Sequence, residues 1–274
     1  MKLKGVLITG KVAANRQLAD EHYLMTVTFS GLFPEPLPGQ FVMARLKGRD
    51  EPFLSRPFSV YRHEQRLHKS SIEILYRVVG KGTRILSGLK RGALIDIFGP
   101  LGNTFDIRPD AKNVILLAGG IGVAPISYLA MFCMENLRYA HVRPVLYAGA
   151  RSAPQLFGID DMRESCLSVN ISTEDGKEGF HGMVTDLLLR DLPSIHLDQS
   201  AIYACGPAPM LKRLHDMLHG QRVFCQVLLE ERMACGVGAC LGCAVEAKAP
   251  DGKLRYLRVC ADGPVFNISD VVWK

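Results

Sequence analysis

Four cysteines near the carboxyl end constrain this 274-residue chain more than any other feature. Cys235, Cys240 and Cys243 follow the spacing C-x4-C-x2-C, and Cys260 comes after sixteen further residues. Three thiols within nine residues, interleaved with Gly236, Gly238 and Gly242, describe a loop wrapped around an inorganic group. Glycine permits the turns and close approaches that a side chain would obstruct. The x4 then x2 spacing is that of plant-type 2Fe-2S ligation, whereas tetrahedral zinc sites more often use paired x2 to x4 knuckles. Zinc stays open as the second reading, and buried free thiols or a disulfide as the third. Cys133, Cys166, Cys205 and Cys225 have no neighbour at ligand spacing and read as packed thiols, so the whole set argues for a reducing, cytoplasmic compartment.

A chain that is 48% hydrophobic and 22% charged is an ordinary folded protein, long enough for two domains and a small third part. The opening MKLKGVLITGKV is too short an apolar run for a signal peptide and alternates like a strand. The longest apolar runs, residues 114–118 and 122–134, carry too many breaks to span a bilayer, so a soluble protein without membrane contact is expected. The formal charge of +6 is concentrated. Between Arg45 and Arg91 stand twelve Lys or Arg against four Asp or Glu. Such a patch suits an acidic partner or cofactor phosphates. No zinc-finger spacing, KH loop or RRM aromatic motif accompanies it, and nucleic acid is not expected.

Short apolar or alternating runs at residues 3–12, 22–30, 40–46, 58–62, 71–79 and 93–98, with one brief helical segment at 82–89, predict a small antiparallel β-barrel closed upon itself. After the turn Gly99-Pro100-Leu101-Gly102 the texture changes. Strands are expected at 113–118, 143–148, 167–171, 201–204 and 222–228, with helices from about 125 to 138, 183–189 and 207–218. That alternation implies an α/β domain with a largely parallel sheet. A further strand is expected at 254–258, just before Cys260.

Gly119, Gly120 and Gly122 lie where a strand becomes a helix, and Pro125 falls in the helix's first turn, where its missing N–H costs nothing. Backbone N–H groups there suit a pyrophosphate or nicotinamide edge, though a tight turn accounts for the glycines equally well. Cys205, Gly206 and Pro207 end another strand of the same sheet, and two such turns facing one crevice favour a nucleotide site. Cys205 is either a nicotinamide contact or a buried structural thiol. Arg56, Phe58 and Ser59 set a cation, an aromatic and a hydroxyl within four residues. Tyr76, Gly80, Gly82 and Thr83 belong to the glycine-bearing segment YRVVGKGT, which also carries Lys81. A flavin diphosphate and ring want such groups, and so do ordinary strands and turns.

These motifs together resemble the ferredoxin-NADP reductase superfamily, and within it the electron-transfer subunits of NAD-dependent, class B dihydroorotate dehydrogenases. Arg56, Phe58 and Ser59 match the superfamily's Arg-x-Tyr-Ser/Thr flavin motif, with Phe58 keeping the stacking face but lacking the phenolic hydroxyl. Gly80, Gly82 and Thr83 match its second flavin segment, Gly119, Gly120, Gly122 and Pro125 its GGxGxxP motif, and Cys205, Gly206 and Pro207 its CGP motif. The run from Glu230 to Cys243 resembles the subfamily's own signature, and Cys260 stands where a fourth ligand is expected.

The resemblance implies NADH as diffusible substrate, bound FAD, a 2Fe-2S cluster on Cys235, Cys240, Cys243 and Cys260, and a separate FMN-containing dihydroorotate dehydrogenase catalytic subunit of pyrimidine biosynthesis, in a heterotetramer of two of each. Arg151 and Ser152 lie where a 2'-phosphate would be read, but the subfamily favours NADH. Hydride transfer needs no acid or base, so no catalytic side chain is nominated and the eight histidines are read as surface or packing residues. The expected organisation is an FAD domain at 1–101, an NAD domain at 102–222 and a cluster segment at 223–274. Two rivals stand beside it: a reductase subunit of a sulfite reductase or transhydrogenase type, and a zinc-stabilised binding protein.

Overall fold

In the computed structural model, residues 5–48, 54–139 and 141–274 are described. Residues 3 and 4 of the expected first strand, and part of the basic stretch at 49–53, lie outside them. The chain forms two compact units. One holds the described residues up to Thr104 together with Glu230–Ala244 and Arg258–Pro264. The other holds Phe105–Leu229, Val245–Leu257 and Val265–Lys274. The carboxyl-terminal segment is thus shared between them, and its four cysteines all belong to the first.

The first unit contains β1 (Val6–Ala19), β2 (His22–Phe29), β3 (Phe41–Leu46), β4 (Arg56–Ser59), β5 (Arg62–Arg66), β6 (Lys69–Arg77), α1 (Lys81–Ser87) and β7 (Leu94–Leu101). They make one antiparallel sheet in the order β4-β3-β7-β1-β2-β6-β5. This corrects the expectation of a closed barrel: the sheet curls but, among the described residues, leaves β4 and β5 as edges without a ladder between them. The single strand expected at 58–62 is broken at Val60 and Tyr61, and the two halves continue on opposite edges, with the Tyr61 N–H donating to the Glu73 carbonyl at 2.9 Å. Val60 and Tyr61 are buried, so burial of apolar side chains turns the corner that alternation alone reads as a strand. Inside the curl lie Val12, Val27, Val42, Ile72, Ile74, Ile95 and Ile97, each at most 1% exposed. The β-branched residues fit a pleated, covered face.

The second unit adds β8 (Asn113–Gly119), α2 (Val123–Glu135), β9 (Val145–Ala150), α3 (Ile159–Ser165), β10 (Ser168–Thr173), β11 (Phe180–His181), α4 (Val184–Asp191), β12 (Ser200–Cys205), α5 (Ala208–Leu218), β13 (Phe224–Leu228), β14 (Ala244–Lys248), β15 (Leu254–Arg258) and β16 (Val265–Asn267). Its main sheet runs β11-β10-β9-β8-β12-β13-β16, parallel up to β13, with β16 antiparallel. Central β8 and β12 are buried nearly throughout, which is why both read as unbroken apolar runs. Three short elements, α3, β11 and β16, carry too few periodic residues to be legible in sequence.

Leu117 is fully buried at the centre of this sheet. Leu117→Ala should lower unfolding free energy by about 2–5 kcal/mol through lost transfer energy and the cavity left behind. Urea denaturation followed by far-UV circular dichroism measures it, and a change under about 1 kcal/mol would remove Leu117 from the core.

Candidate functional site

The thiols of the carboxyl-terminal loop come in two pairs. Cys235 and Cys240 interact with each other, as do Cys243 and Cys260. Among the described residues no three His, Cys, Asp or Glu side chains converge on one metal position. Cys235 also acts electrostatically on Cys260, so the two pairs share one neighbourhood, as the four ligands of a binuclear cluster would. Backbone donors are aimed at the sulfurs: Val237 N–H to Cys235 Sγ at 3.4 Å, Gly238 N–H to Cys260 Sγ at 3.1 Å, and Cys260 N–H to Cys243 Sγ at 3.4 Å. Burial works to raise the Cys235 thiol, but the N–H groups of Val237, Cys240 and Ala239 and the Cys240 thiol outweigh it and bring it down to about 6. Burial, and after it the Cys243 thiol, push Cys260 up to about 12. Cys243 and Cys260 are 2% and 3% exposed, while Cys240 is open to solvent beside Leu241, itself 63% exposed.

The loop does not hang free of the first unit. A Cβ on Gly236 would lie 2.7 Å from Met43 Cγ, so the loop backbone rests directly on β3. Met43 pairs in register with Pro57 of β4, inside the segment Arg56-Pro57-Phe58-Ser59. Cysteine loop and flavin candidates are thereby seated on adjacent strands. At the return of the loop, Asn103 N–H donates to the Gly263 carbonyl at 2.7 Å, tying the end of the sheet to residues just past Cys260.

The flavin candidates converge. The Arg56 guanidinium lies over Gly82, where an added Cβ would stand 2.6 Å from Nε, and its Nη1 donates to the Leu54 carbonyl at 2.8 Å. A cation held over the glycine-bearing start of α1, with open space beside Gly80, fits a diphosphate. Thr83 turns inward instead. Its Oγ1 accepts from Val79 N–H at 2.9 Å and Gly80 N–H at 3.2 Å, closing the turn. Tyr76 is only 2% exposed; its hydroxyl donates to Asn15 Oδ1 and its ring meets Phe58 edge-on at 5.7 Å. It buttresses Phe58 from beneath. Asn15 in turn donates from Nδ2 to the carbonyls of Leu86, Ser87 and Leu89, holding the end of α1. Sequence reasoning passed over Asn15 because a polar residue in mid-strand carries no local signal of a contact 71 residues away.

The nucleotide candidates converge within the second unit. β8 and β12 are neighbours, with Ala118 opposite Cys205, so both glycine turns leave the carboxyl end of the same sheet. They touch: a Cβ on Gly122 would stand 2.7 Å from Gly206 N, and one on Gly206 would meet Gly119 Cα at 3.1 Å. Met210 of α5 covers Gly119 and Gly206 alike, a residue that nothing in its local sequence singles out. Gly120 faces open space, Pro125 is buried in the first turn of α2, and Cys205 is wholly buried, so its backbone and not its thiol lines the turn. Arg151, exposed after β9, and Asp175, after β10, are joined by an Asp175 N–H to Arg151 carbonyl bond.

A curled antiparallel sheet, a parallel-sheet unit with glycine turns at the carboxyl ends of two central strands and a cysteine loop define a reductase of the ferredoxin-reductase type. A solved structure titled as an NADH-dependent reduced ferredoxin-NADP oxidoreductase in flavin-based electron bifurcation matches with a TM-score of 0.81 at 27% identity, over 96% of this chain and 90% of that one. Phthalate dioxygenase reductase, with a TM-score of 0.59 at 18% identity over 93% of this chain and 77% of that one, shares the fold. Residues 116–216 match the oxidoreductase NAD-binding domain, and residues 230–272 the iron-sulfur cluster binding domain of dihydroorotate dehydrogenase B. The electron transfer subunit of dihydroorotate dehydrogenase B (NAD(+)) from Caldanaerobacter subterraneus is 38% identical over 96% of this chain and 97% of its own length. That of Desulforamulus reducens is 37% identical over the same shares. The chain belongs to this family of dihydroorotate dehydrogenase B electron transfer subunits, and the zinc reading gives way to the iron-sulfur one.

Because the two glycine turns touch, Gly122→Ala should push them apart. The expected result is a rise of about tenfold or more in KM for NADH, roughly 1.4 kcal/mol of lost binding, with FAD content unchanged. Steady-state reduction of a dye acceptor checks it, and an unaltered KM would detach this turn from nucleotide binding.

Proposed function

We propose that the chain carries electrons between NADH and the FMN of a separate catalytic subunit that interconverts dihydroorotate and orotate, by way of its own FAD and 2Fe-2S cluster. The observation that carries this reading is the seating of the paired-thiol loop on β3, next to the strand that holds Arg56, Phe58 and Ser59. FAD, when bound, supplies the conversion between the electron pair of a hydride and the single electrons an iron-sulfur group takes.

The protein's own residues bind and orient. Arg56 offsets diphosphate charge, Phe58 offers a ring face braced by Tyr76, and Ser59 supplies a hydroxyl toward the flavin ring. Gly80, Gly82 and Thr83 shape the phosphate turn. Gly119, Gly120, Gly122, Pro125, Cys205, Gly206 and Pro207 form the nicotinamide-nucleotide turns, and Cys235, Cys240, Cys243 and Cys260 hold the irons. The functional parts run 1–101 for FAD, 102–222 for NAD and 223–274 for the cluster. Solvent exposure of Cys240 and Leu241 leaves the cluster loop open toward a partner. The assembly is two of each subunit in the cytoplasm, with part of the basic excess between Arg45 and Arg91 facing the partner; no helix among the described residues is long and apolar enough to cross a membrane.

Anaerobically purified protein should show flavin and iron-sulfur absorption and bring down an FMN-containing partner when both are expressed together. Iron and sulfide absent from a freshly prepared, FAD-loaded chain would defeat the reading. Cys240→Ser should damage the cluster and stop transfer to FMN while NADH still bleaches FAD in stopped flow; undiminished transfer through a normal cluster would show that Cys240 is no ligand. Arg56→Ala should weaken FAD binding by about ten- to a hundredfold, from a charge-assisted contact of roughly 1.5–3 kcal/mol. Retained flavin after gel filtration measures this, and unchanged retention would take the role from Arg56.

A further inference from the structure

Arg258 lies two residues before Cys260, and its guanidinium is committed on every side. Nε donates to Asp262 Oδ2 at 3.0 Å and Nη2 to Asp262 Oδ1 at 3.0 Å, a two-point ion pair of fixed geometry. The Arg258 N–H also donates to Asp262 Oδ2 at 2.8 Å, and Asp262 N–H returns to the Arg258 carbonyl at 2.8 Å. Residues 258 to 262 are thus closed into a tight turn, and Cys260 sits within it. The third guanidinium nitrogen, Nη1, donates to the Gly238 carbonyl at 3.0 Å. Gly238 is the residue whose own N–H donates to Cys260 Sγ at 3.1 Å. The site tolerates no side chain at 238, since φ is +81° and a Cβ would stand 2.8 Å from Ala261 Cβ and 3.2 Å from Arg258 Nη1.

One side chain therefore grips both the turn that carries the Cys260 sulfur and the residue that donates to it. We propose that Arg258 is a positioning residue which sets the reduction potential of the cluster, by holding the Gly238 N–H on Cys260. This rests on the iron-sulfur reading above. Adding an electron to a thiolate-held iron-sulfur group makes its sulfurs more negative, and hydrogen bonds and nearby charge are levers on its potential. A donor held on the sulfur stabilises the reduced form more than the oxidised one, so Arg258 raises the potential through the Gly238 N–H, its own charge being offset by the Asp262 carboxylate. Fixing the carbonyl of Gly238 also restrains the adjoining backbone, so the donor does not have to be reordered with each electron.

The test is an EPR-monitored redox titration of anaerobic holoprotein, with iron, sulfide and FAD assayed first. A wild-type chain lacking iron and sulfide would refute the cluster reading itself, an outcome separate from failure of Arg258. Arg258→Gln, loaded to wild-type iron content, is expected to lower the equilibrium constant for cluster reduction about tenfold, a downward shift of about 59 mV for a one-electron couple. Arg258→Lys keeps the charge but not the fork, and should recover part of the shift with a broadened EPR signal. If Arg258→Gln sheds its iron while keeping FAD, the Lys variant decides: a lowered potential or broadened signal supports the proposal. Iron lost from both variants with FAD and NADH affinity intact would overturn it, since Arg258 would then be needed to retain the cluster and not to set its potential. A loaded variant of either kind with wild-type potential and line shape overturns it.

Discussion

Uncompensated negative charge on sulfur is the constraint around which the carboxyl-terminal loop is built. The four thiols, three in the loop and Cys260 in the turn at 258–262, would repel one another as thiolate ligands, and two of them, Cys243 and Cys260, are almost wholly buried. Burying charge without partners is costly, so the loop has to bring its own positive ends. It does so with backbone N–H groups from Val237, Gly238 and Cys260. Glycine density is what lets the chain bend sharply enough to aim several donors inward within nine residues. The loop sequence is therefore dictated by where the N–H groups must point as much as by where the sulfurs must be.

The same requirement ties the loop to the rest of its unit. Donors aimed at a cofactor are useful only if the backbone bearing them is rigid, and here rigidity comes from contact with a sheet: Gly236 against Met43 of β3, and the Gly263 carbonyl on Asn103. Because β3 is also the partner of β4, any displacement of the loop is felt by the strand that carries Arg56 and Phe58. The nucleotide turns follow a different logic. Two glycine segments meet backbone to backbone at the carboxyl ends of β8 and β12, under Met210, and Gly120 beside them faces open space. The flavin candidates instead combine a pinned arginine with buried aromatic support from Tyr76 and Asn15, suited to a resident group.

Much of this was legible in the chain because the signals are local. The C-x4-C-x2-C spacing, the glycine turns at 119–122 and 205–207, and the alternation of apolar runs with helical patterns each lie within a dozen residues, where chain geometry decides what is feasible. The closed barrel failed for an equally physical reason. Alternation reports that a segment is extended with one face covered, but not which neighbour it pairs with, and the bend at Val60 and Tyr61 leaves β4 and β5 at opposite edges. Tyr76 and Thr83 show the complementary limit. Both types offer hydroxyls, but Tyr76 uses its own on Asn15, and that of Thr83 closes the turn at residues 79 and 80.

By itself, then, the order of residues determined the chemistry on offer: thiols at cluster spacing, bare backbone at two strand ends, and a cation beside an aromatic. Those follow from covalent spacing and the conformational freedom of glycine, which do not depend on the fold. Tertiary structure alone decided the placement: that residues 230–244 return across more than a hundred intervening positions to rest on β3, that Met210 roofs both glycine turns, and that Arg258 closes on Asp262 and Gly238 around Cys260. Such contacts are made by packing between segments far apart in the chain, and no local pattern records which distant surface a loop will bury itself against.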